Sequence, residues 1–287
     1  MDDDFVTRFA PSPSGRLHKG HALSAMLAHA EARKAGGRFL LRIEDIDVTR
    51  ARPAYEQAIY DDLAWLGLDW EEPVRRQSEH LGDYQAALDR LKAVGLLYRC
   101  FRTRKEIAEA IASAPHGPSG DQEAFTGGPL DEADEAALIA AGRPFAWRLS
   151  MARAKARLGA AWDGLAFTEQ GVGPDGETGR LPADPMRHGD VVLARKDVGV
   201  AYHHAVVVDD ALQGITHVIR GQDLFEATGV QRLLQVLLGL PEPVYRHHRL
   251  VLDATGKRLA KRDGAESLDA LRRRGVTPAE LRAELEI

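Results

Sequence analysis

The chain has 287 residues, a formal net charge of -5 at pH 7 and 44% hydrophobic residues, which is the composition of an ordinary globular protein. No apolar run approaches the roughly 20 residues that a membrane-spanning helix needs, and the acidic residues 2–4 are the opposite of a basic signal-peptide start. We therefore expect a cytoplasmic protein with no membrane partner. The single cysteine, Cys100, excludes an internal disulfide. The acidic balance does not exclude a nucleic-acid partner, because a local basic patch is enough for binding.

The first predicted elements are a buried strand and an amphipathic helix joined by a stiff loop. Phe5, Val6 and Phe9 predict the strand. The prolines and glycine of residues 11–15 predict the loop, and apolar residues at helical spacing from Lys19 onward predict the helix. In an open α/β sheet such a junction binds anions, because the free N–H groups and the positive end of the helix dipole lie there.

Two histidines stand at the predicted start of this helix. His18 and His21 are three residues apart and would share one face of the first turn. Their imidazoles can donate hydrogen bonds to phosphate oxygens, and Gly20 would let a bulky ligand approach the backbone. The pattern alone is also typical of a capping loop with two exposed histidines. A metal pair would need a third ligand, and none is obvious nearby.

These residues carry a resemblance to a known family. His18-Lys19-Gly20-His21 resembles the His-Ile-Gly-His signature of class I aminoacyl-tRNA synthetases, with Lys19 in place of isoleucine. The string from Arg8 to Gly15, with Leu17 and His18, resembles the glutamyl-tRNA synthetase branch. The resemblance implies an α/β fold, namely a Rossmann-like catalytic domain with a parallel sheet. It also implies a glutamate pocket that includes Arg8, Phe9, Ala10, Pro11 and Ser12.

A second strand is predicted over residues 38–45, and it places carboxylates at its C-terminal end, which is again the ligand edge of a parallel sheet. By the resemblance, Glu44 contacts the amino group of glutamate. The alternative is that Glu44, Asp45 and Asp47 are charges that merely end the strand. A helix is predicted from Pro53, and Gly67 closes it.

The middle of the chain contains a predicted helix over residues 83–94 and a strand over 97–103. It continues with an acidic helix over 131–141, strands over 145–151 and 162–167, and glycine- and proline-rich connections over 113–129 and 171–185. By the resemblance, residues 71–185 form an inserted connective subdomain, which contacts the tRNA acceptor arm in the family. Residues 1–70 and 186–264 are then the two halves of the catalytic domain.

In short relatives of this family, the place that corresponds to Cys100 often holds a zinc site. This chain has Arg102 where the second cysteine stands and no cysteine after Cys100, and His116 alone does not restore a set of three or four ligands. We therefore predict that the zinc site is lost and that Cys100 is a small buried apolar residue.

The catalytic core is expected to resume with a strand over residues 189–195 and a hairpin turn over 196–199. An apolar run with Asp209 and Asp210 at its end follows, then a strand over 215–220 and a helix over 228–238. By the resemblance, Tyr202 and Arg220 complete the glutamate pocket, and a guanidinium is the expected device for holding a carboxylate. Which carboxylate Arg8 or Arg220 holds stays open. The alternatives are a structural ion pair for Arg220 and a plain core position for Tyr202.

A basic loop over residues 254–264 has four cations in six positions, which suits it to a polyphosphate. It resembles the class I Lys-Met-Ser-Lys-Ser loop, with Arg258, Ala260 and Arg262 as departures and Lys261 as the retained lysine that contacts ATP. A solvated basic loop is the alternative. The resemblance implies that the residues binding ATP are His18, Gly20, His21, Lys257, Arg258 and Lys261, of which His18, His21 and Lys261 are catalytic.

Two short helices, over residues 269–274 and 278–286, end the chain, so residues 265–287 are predicted to be a helical tail without an anticodon-binding domain. This architecture resembles the glutamyl-queuosine tRNA(Asp) synthetases. They activate L-glutamate with ATP and Mg²⁺, independently of tRNA, and transfer it to queuosine in the anticodon loop of tRNA(Asp). The alternatives are a truncated enzyme that charges a tRNA 3′ end, an inactive binding protein and a small-molecule nucleotidyltransferase. We expect a monomer.

Overall fold

The computed structural model describes residues 5–103, 105–107, 125–195, 199–252, 259 and 266–287. The α-helices of this part are α1 (Lys19–Lys34), α2 (Pro53–Trp65), α3 (Leu81–Ala93), α4 (Glu132–Ala140), α5 (Met151–Leu158), α6 (Tyr202–Leu212), α7 (Ala227–Leu238), α8 (Leu268–Arg273) and α9 (Pro278–Glu284). The strands are β1 (Val6–Phe9), β2 (Arg38–Ile43), β3 (Glu71–Arg76), β4 (Leu97–Cys100), β5 (Ala146–Leu149), β6 (Ala166–Glu169), β7 (Gly179–Pro182), β8 (Val192–Arg195), β9 (Gly199–Val200), β10 (His217–Gly221) and β11 (Val244–His248).

Parallel strands form the predicted α/β core. One sheet has the order β1-β2-β3 and is parallel throughout, and in the second β10, β11 and β6 are parallel while β7 is antiparallel to β6. The two sheets meet where Thr216 N donates to Val6 O at 2.9 Å and Val6 N donates to Thr216 Oγ1 at 2.9 Å. Since β1 and β10 both start at this contact, their C-terminal ends share one edge.

A separate antiparallel sheet has the order β4-β5-β8-β9. The strand predicted over residues 189–195 is β8, which pairs with β5, with Trp147 opposite Ala194. Hydrophobic alternation identifies a strand without identifying its partner. The predicted hairpin is confirmed by the pair Arg195–Gly199, although residues 196–198 lie outside the described part.

Strand β6 lies within the predicted insertion, yet it joins the parallel sheet through Glu169 opposite Tyr245. The strand predicted over residues 162–167 begins only at Ala166, because a 3-10 helix, Gly159–Trp162, occupies the start of that range. The sequence also gave no signal for β7, α5 or β11. The domain boundaries stay predictions.

The helices that were predicted from both ends of the chain are confirmed, and they pack together. Buried Leu268 and Leu281 of α8 and α9 lie in one hydrophobic cluster with Ile59 and Leu63 of α2. Ser267 forms an isolated bridge with His18, and Leu268 N donates to Leu17 O at 2.9 Å. The C-terminal helices therefore hold Ser267 next to the start of α1.

Two negative findings concern the described residues. None of the helices in this part is long and apolar enough to cross a membrane. Nor do these residues contain a cluster of three or more histidine, cysteine or acidic side chains that could hold a metal ion. Cys100 is buried, as predicted, and the loss of zinc stays a prediction, with His116 outside the described part.

Candidate active site

A pocket of about 710 Å³ opens at the shared C-terminal edge of β1, β2 and β10. It brings together every predicted glutamate or ATP residue that the structure describes, namely Arg8, Phe9, Ala10, Pro11, Ser12, His18, Gly20, His21, Glu44, Tyr202 and Arg220. Lys257, Arg258 and Lys261 lie outside the described residues. Val251, which precedes the basic loop, and Leu259, which lies within it, also line the pocket.

His18 and His21 close the start of α1 reciprocally. The backbone N of Gly20 donates to His18 Nδ1 at 3.1 Å, and the backbone N of His18 donates to His21 Nδ1 at 3.2 Å. The two ring centroids are 3.8 Å apart. Because each Nδ1 is an acceptor, a neutral ring carries its proton on Nε2. The helix start thus has two imidazole N–H donors.

Gly20 is needed for this arrangement in a way that the sequence did not indicate. A Cβ at position 20 would lie 3.1 Å from Cε1 and 3.2 Å from Nδ1 of His18. A side chain there would press on the imidazole that caps the helix. Glycine at this position therefore protects the orientation of His18 as well as leaving space for a ligand.

Arg8 is buried and already has a carboxylate partner. Its Nε donates to Asp210 Oδ1 at 3.0 Å, and its Nη2 lies 3.4 Å from Oδ2 of the same residue. Arg42, which the sequence analysis missed, also donates to Asp210, at 2.8 Å, and to Glu44 Oε1 at 3.2 Å. The charge on Arg8 is therefore shared with protein carboxylates.

Glu44 stands at the pocket end of β2. Burial raises the pKa of Glu44, while the nearby charges of Arg42 and Arg8 lower it, and the net result is a pKa above the ordinary value. The carboxylate is held in place by Arg42 and faces the pocket. A cationic group entering the pocket would favour the charged form of Glu44.

Arg220, at the end of β10, has a different environment. It is 5% exposed, and its donors contact neutral acceptors: His247 Nε2 at 3.0 Å, Gln231 Oε1 at 2.7 Å, Thr228 Oγ1 at 2.7 Å and Leu224 O at 3.1 Å. Within the described part of the chain, no carboxylate forms a salt bridge with it. The alternative of a structural ion pair is therefore not supported by these residues, and the buried charge favours an anionic ligand.

Tyr202 begins α6 and lines the pocket, while its ring also packs against the core of the antiparallel sheet. Burial raises the pKa of Tyr202, outweighing the opposing charge of Arg220. The phenol is therefore a neutral hydrogen-bond donor at the pocket wall, as well as part of the packing.

A second buried network supports this wall, and sequence reasoning did not find it. Asp209 accepts from Arg75 Nε at 2.7 Å, from Gln77 Nε2 at 2.7 Å and from Tyr84 Oη at 2.9 Å. Two adjacent aspartates in an apolar helical run were the available signal, because buried carboxylates require partners. Further cations at the pocket wall that the prediction missed are Arg50, Arg195 and Arg249.

Comparison with known proteins gives consistent results. Residues 4–286 match the family model described as tRNA synthetases class I (E and Q), catalytic domain. The chain is 50% identical to glutamyl-Q tRNA(Asp) synthetase of Rhodobacter capsulatus, covering 96% of this chain and 98% of that one. It is 46% identical to the Nocardia farcinica protein of the same name, over 97% and 82% of the two chains.

A solved structure matches the fold over most of the chain. The glutamate tRNA ligase from Elizabethkingia meningosepticum, in complex with its amino acid, superposes with a TM-score of 0.72 at 29% identity. The match covers 91% of this chain and 52% of that one, so this chain spans about half the length of that relative.

Proposed function

The chain belongs to the class I tRNA synthetase family, among the glutamyl-Q tRNA(Asp) synthetases, and from this membership we propose that it activates L-glutamate with ATP and transfers the glutamyl group to queuosine in the anticodon loop of tRNA(Asp). The proposal combines two kinds of support. The pocket supports the activation step, and the names of the close relatives support the choice of acceptor.

The main support for the activation step is the environment of Arg220. A guanidinium that is buried among neutral acceptors is stabilised when a carboxylate binds it. Glutamate has two carboxylates and one ammonium group, and the pocket wall offers Arg220 and Arg8 to the former and Glu44 to the latter. Tyr202, with its phenol neutral, is a further donor beside them.

Adenylation then requires positioning and charge stabilisation. A carboxylate oxygen of glutamate attacks the α-phosphorus of ATP, and the bond to pyrophosphate breaks as the new P–O bond forms. Negative charge on the phosphoryl oxygens is stabilised by preorganised donors. His18 and His21 would supply Nε2–H donors, since their Nδ1 atoms are occupied by the cap. The helix start adds its dipole.

The basic loop is proposed to complete the ATP site. Lys261 would contact the pyrophosphate side, with Lys257 or Arg258 beside it. The support comes from Leu259, the described residue of the loop, whose N donates to Val251 O at 3.1 Å, and from Ser267, which follows the loop and pairs with His18. Mg²⁺ would enter with ATP, held mainly by its phosphates.

In the second step, a hydroxyl of the queuosine cis-diol attacks the glutamyl carbonyl carbon, which forms an ester and releases AMP. Arg50 and Arg249 at the pocket wall are paired with Asp47 and Glu286, and they would exchange these carboxylates for phosphates of the tRNA.

Transfer of labelled glutamate tests the acceptor. We would incubate the protein with ATP, labelled glutamate and tRNA(Asp) with or without queuosine, and oxidise a parallel tRNA sample with periodate beforehand. Periodate destroys the free cis-diols of queuosine and of the tRNA 3′ end. We expect label only on queuosine-containing tRNA(Asp), and the label should survive removal of the 3′ end. Label on the 3′ end of tRNA(Glu) would instead identify a charging enzyme with the same activation site.

Glutamate-dependent pyrophosphate exchange tests activation separately. We expect exchange with the protein alone, without tRNA. Exchange that requires tRNA would contradict the tRNA-independent step, and no exchange under either condition would favour a binding protein that has lost the chemistry.

A further inference from the structure

Three neighbouring strands place Arg220, His247 and Glu169 in a row. Arg220 on β10 is the register partner of His247 on β11, and Glu169 on β6 lies opposite Tyr245 of β11. Arg220 Nε donates to His247 Nε2 at 3.0 Å, and His247 Nδ1 lies 2.5 Å from Glu169 Oε2. A continuous hydrogen-bonded path therefore runs from the pocket to a buried carboxylate.

The hydrogen bonds determine the tautomer of the histidine. An arginine Nε–H can only donate, so His247 Nε2 must be the acceptor and its proton must be on Nδ1, where it is donated to Glu169. Burial lowers the pKa of His247 and the charge of Arg220 lowers it further, while the hydrogen bond that His247 donates to Glu169 opposes the shift. Burial raises the pKa of Glu169, but the hydrogen bonds from His247 and Gly171 leave it below its ordinary value. The histidine is neutral and the glutamate is ionised.

Glu169 is itself fixed by backbone donors. Its Oε1 accepts from Gly171 N at 2.7 Å and from His247 N at 2.9 Å. A Cβ at Gly171 would lie 2.2 Å from His247 O and 2.8 Å from Glu169 Oε1, so only glycine lets the backbone approach this closely. The carboxylate has no freedom to turn away from the imidazole.

The imidazole is held equally firmly by aromatic rings. Phe225 packs edge-on at 5.1 Å between ring centroids, and Tyr245 lies parallel to it at 6.1 Å. The same Tyr245 ring lies 5.2 Å from the guanidinium carbon of Arg220. The path is thus rigid from Glu169 to Arg220.

We propose that His247 and Glu169 are positioning residues, which hold the Arg220 guanidinium in the orientation that receives a carboxylate of the amino-acid substrate. The carboxylate of Glu169 is too far from the pocket to compete with the ligand, because a neutral imidazole separates it from Arg220. Glu169 therefore orients Arg220 through His247, and the positive charge of Arg220 stays available to the substrate. This inference rests on the proposed function, since it assumes that Arg220 binds glutamate.

Glu169→Gln tests the path with minimal change of shape. The amide oxygen can keep the two backbone hydrogen bonds, but the amide N–H₂ then faces the Nδ1–H of His247. The histidine must move its proton to Nε2, where it opposes the Nε–H of Arg220. We expect the KM for glutamate in pyrophosphate exchange to rise about tenfold, with the KM for ATP changed by less than about twofold.

Two substitutions of the histidine separate its two contacts. In His247→Gln the side-chain oxygen can reach the place of Nε2 and accept from Arg220, whereas in His247→Asn the shorter amide can reach only the place of Nδ1. We expect a larger rise in the KM for glutamate in His247→Asn than in His247→Gln. These variants also decide the matter if Glu169→Gln does not fold.

Asp190→Asn is the matched control. Asp190 is another buried carboxylate, which accepts from Tyr98 Oη at 2.7 Å and Met151 N at 2.8 Å in the antiparallel sheet. Its substitution should lower the melting temperature and leave the KM for glutamate unchanged. If the Glu169 and His247 variants have the same exchange rate and the same KM for glutamate as the wild type, the inference is overturned while the proposed function stands. Lack of glutamate-dependent exchange in the wild type would overturn the proposed function and the inference with it.

Discussion

Two regions of the pocket wall contain buried arginines, and they differ in whether protein carboxylates pair with the guanidinium groups. Around Arg8 and Arg42, on β1 and β2, each guanidinium is paired with Asp210, and Arg42 also contacts Glu44 and lies 3.7 Å from Asp209. Around Arg220, on β10, the partners are an imidazole, an amide, a hydroxyl and a carbonyl. Compensated charge in the first region stabilises the fold, whereas the second region keeps a charge for a ligand.

This difference explains how one pocket can be both stable and selective for an anion. A pocket in which every cation was paired would bind a dicarboxylate weakly, because the substrate would compete with protein carboxylates. A pocket in which none was paired would carry buried charge that disfavours folding. Arg8 has an intermediate role, since it lines the pocket while it is bound to Asp210.

Arg220→Met gives the largest expected effect and tests the ligand side of the comparison. Methionine removes the charge at similar volume, so kcat/KM for glutamate in pyrophosphate exchange should fall about a thousandfold, or about 4 kcal/mol. The melting temperature should change little, because the lost hydrogen bonds are offset by removal of an uncompensated buried charge. Arg246→Met is the control, since Arg246 on β11 pairs with Glu31 at 2.7 Å and lies outside the pocket lining. Exchange that persists in Arg220→Met would contradict a ligand role.

Arg42→Met tests the structural side. The substitution removes one of the two guanidinium groups that pair with Asp210 and a guanidinium that lies 3.7 Å from Asp209, so the free energy of unfolding should fall by about 3 kcal/mol in urea titrations. The matched control is Arg38→Met on the same strand, where the pair with Glu71 is exposed and the expected loss is below about 1 kcal/mol. Equal losses in the two variants would mean that the buried cluster contributes no more than a surface pair.

Much of this contrast could not be predicted from the sequence. The resemblance of short motif strings to the glutamyl-tRNA synthetase branch predicted Arg8, Glu44, Tyr202 and Arg220 as pocket residues. Arg42 was missed although its strand was predicted, because its carboxylate partners on α6 are distant in sequence. Asp210 lies 168 residues from Arg42. Strand β11 was missed because polar residues inside a strand obscure the hydrophobic pattern.

A different limit, local capping, affected the prediction of α5. Residues 145–151 were predicted as a single strand, but Ser150 Oγ accepts from Arg153 N and starts α5 at Met151. Capping chemistry therefore outweighed the β propensity of the preceding residues. The roles of the site residues, the monomeric state and the cytoplasmic location stay predictions.

His21→Ala tests the imidazole donors at the start of α1, which line the same pocket as the arginines. Loss of one Nε2–H beside the phosphates should lower kcat in pyrophosphate exchange by about a hundredfold, or about 2.7 kcal/mol. The KM for glutamate should change much less, because Arg220 is untouched. His29→Ala on the same helix is the control, since His29 bonds Asp69 at 2.7 Å away from the pocket. Wild-type exchange in His21→Ala would dispose of the phosphate assignment.

The smallest expected effect concerns Asp62 on α2, a buried carboxyl group outside the pocket that can be compared with the buried arginines. Its Oδ2 is buried without a hydrogen-bond partner among the described residues. Burial raises the pKa of Asp62 from 3.8 to about 6, with Arg272 opposing and Asp269 adding to the shift. An acid whose pKa is raised on folding binds its proton more tightly in the folded state, so its charged form destabilises the protein. This penalty is absent below about pH 4, grows between about pH 4 and 6 and is complete above that range.

Asp62→Asn should therefore raise the free energy of unfolding at pH 7 by about 1 kcal/mol, after allowance for screening by solvent and nearby arginines. The gain should disappear near pH 4, where the wild-type carboxyl is protonated. Urea titrations of both proteins at several pH values measure it. Asp61→Asn, at the adjacent exposed position of α2, should not show this pH-dependent gain. A loss of stability in Asp62→Asn at pH 7 would mean that Arg272 and Arg16 compensate the carboxylate fully.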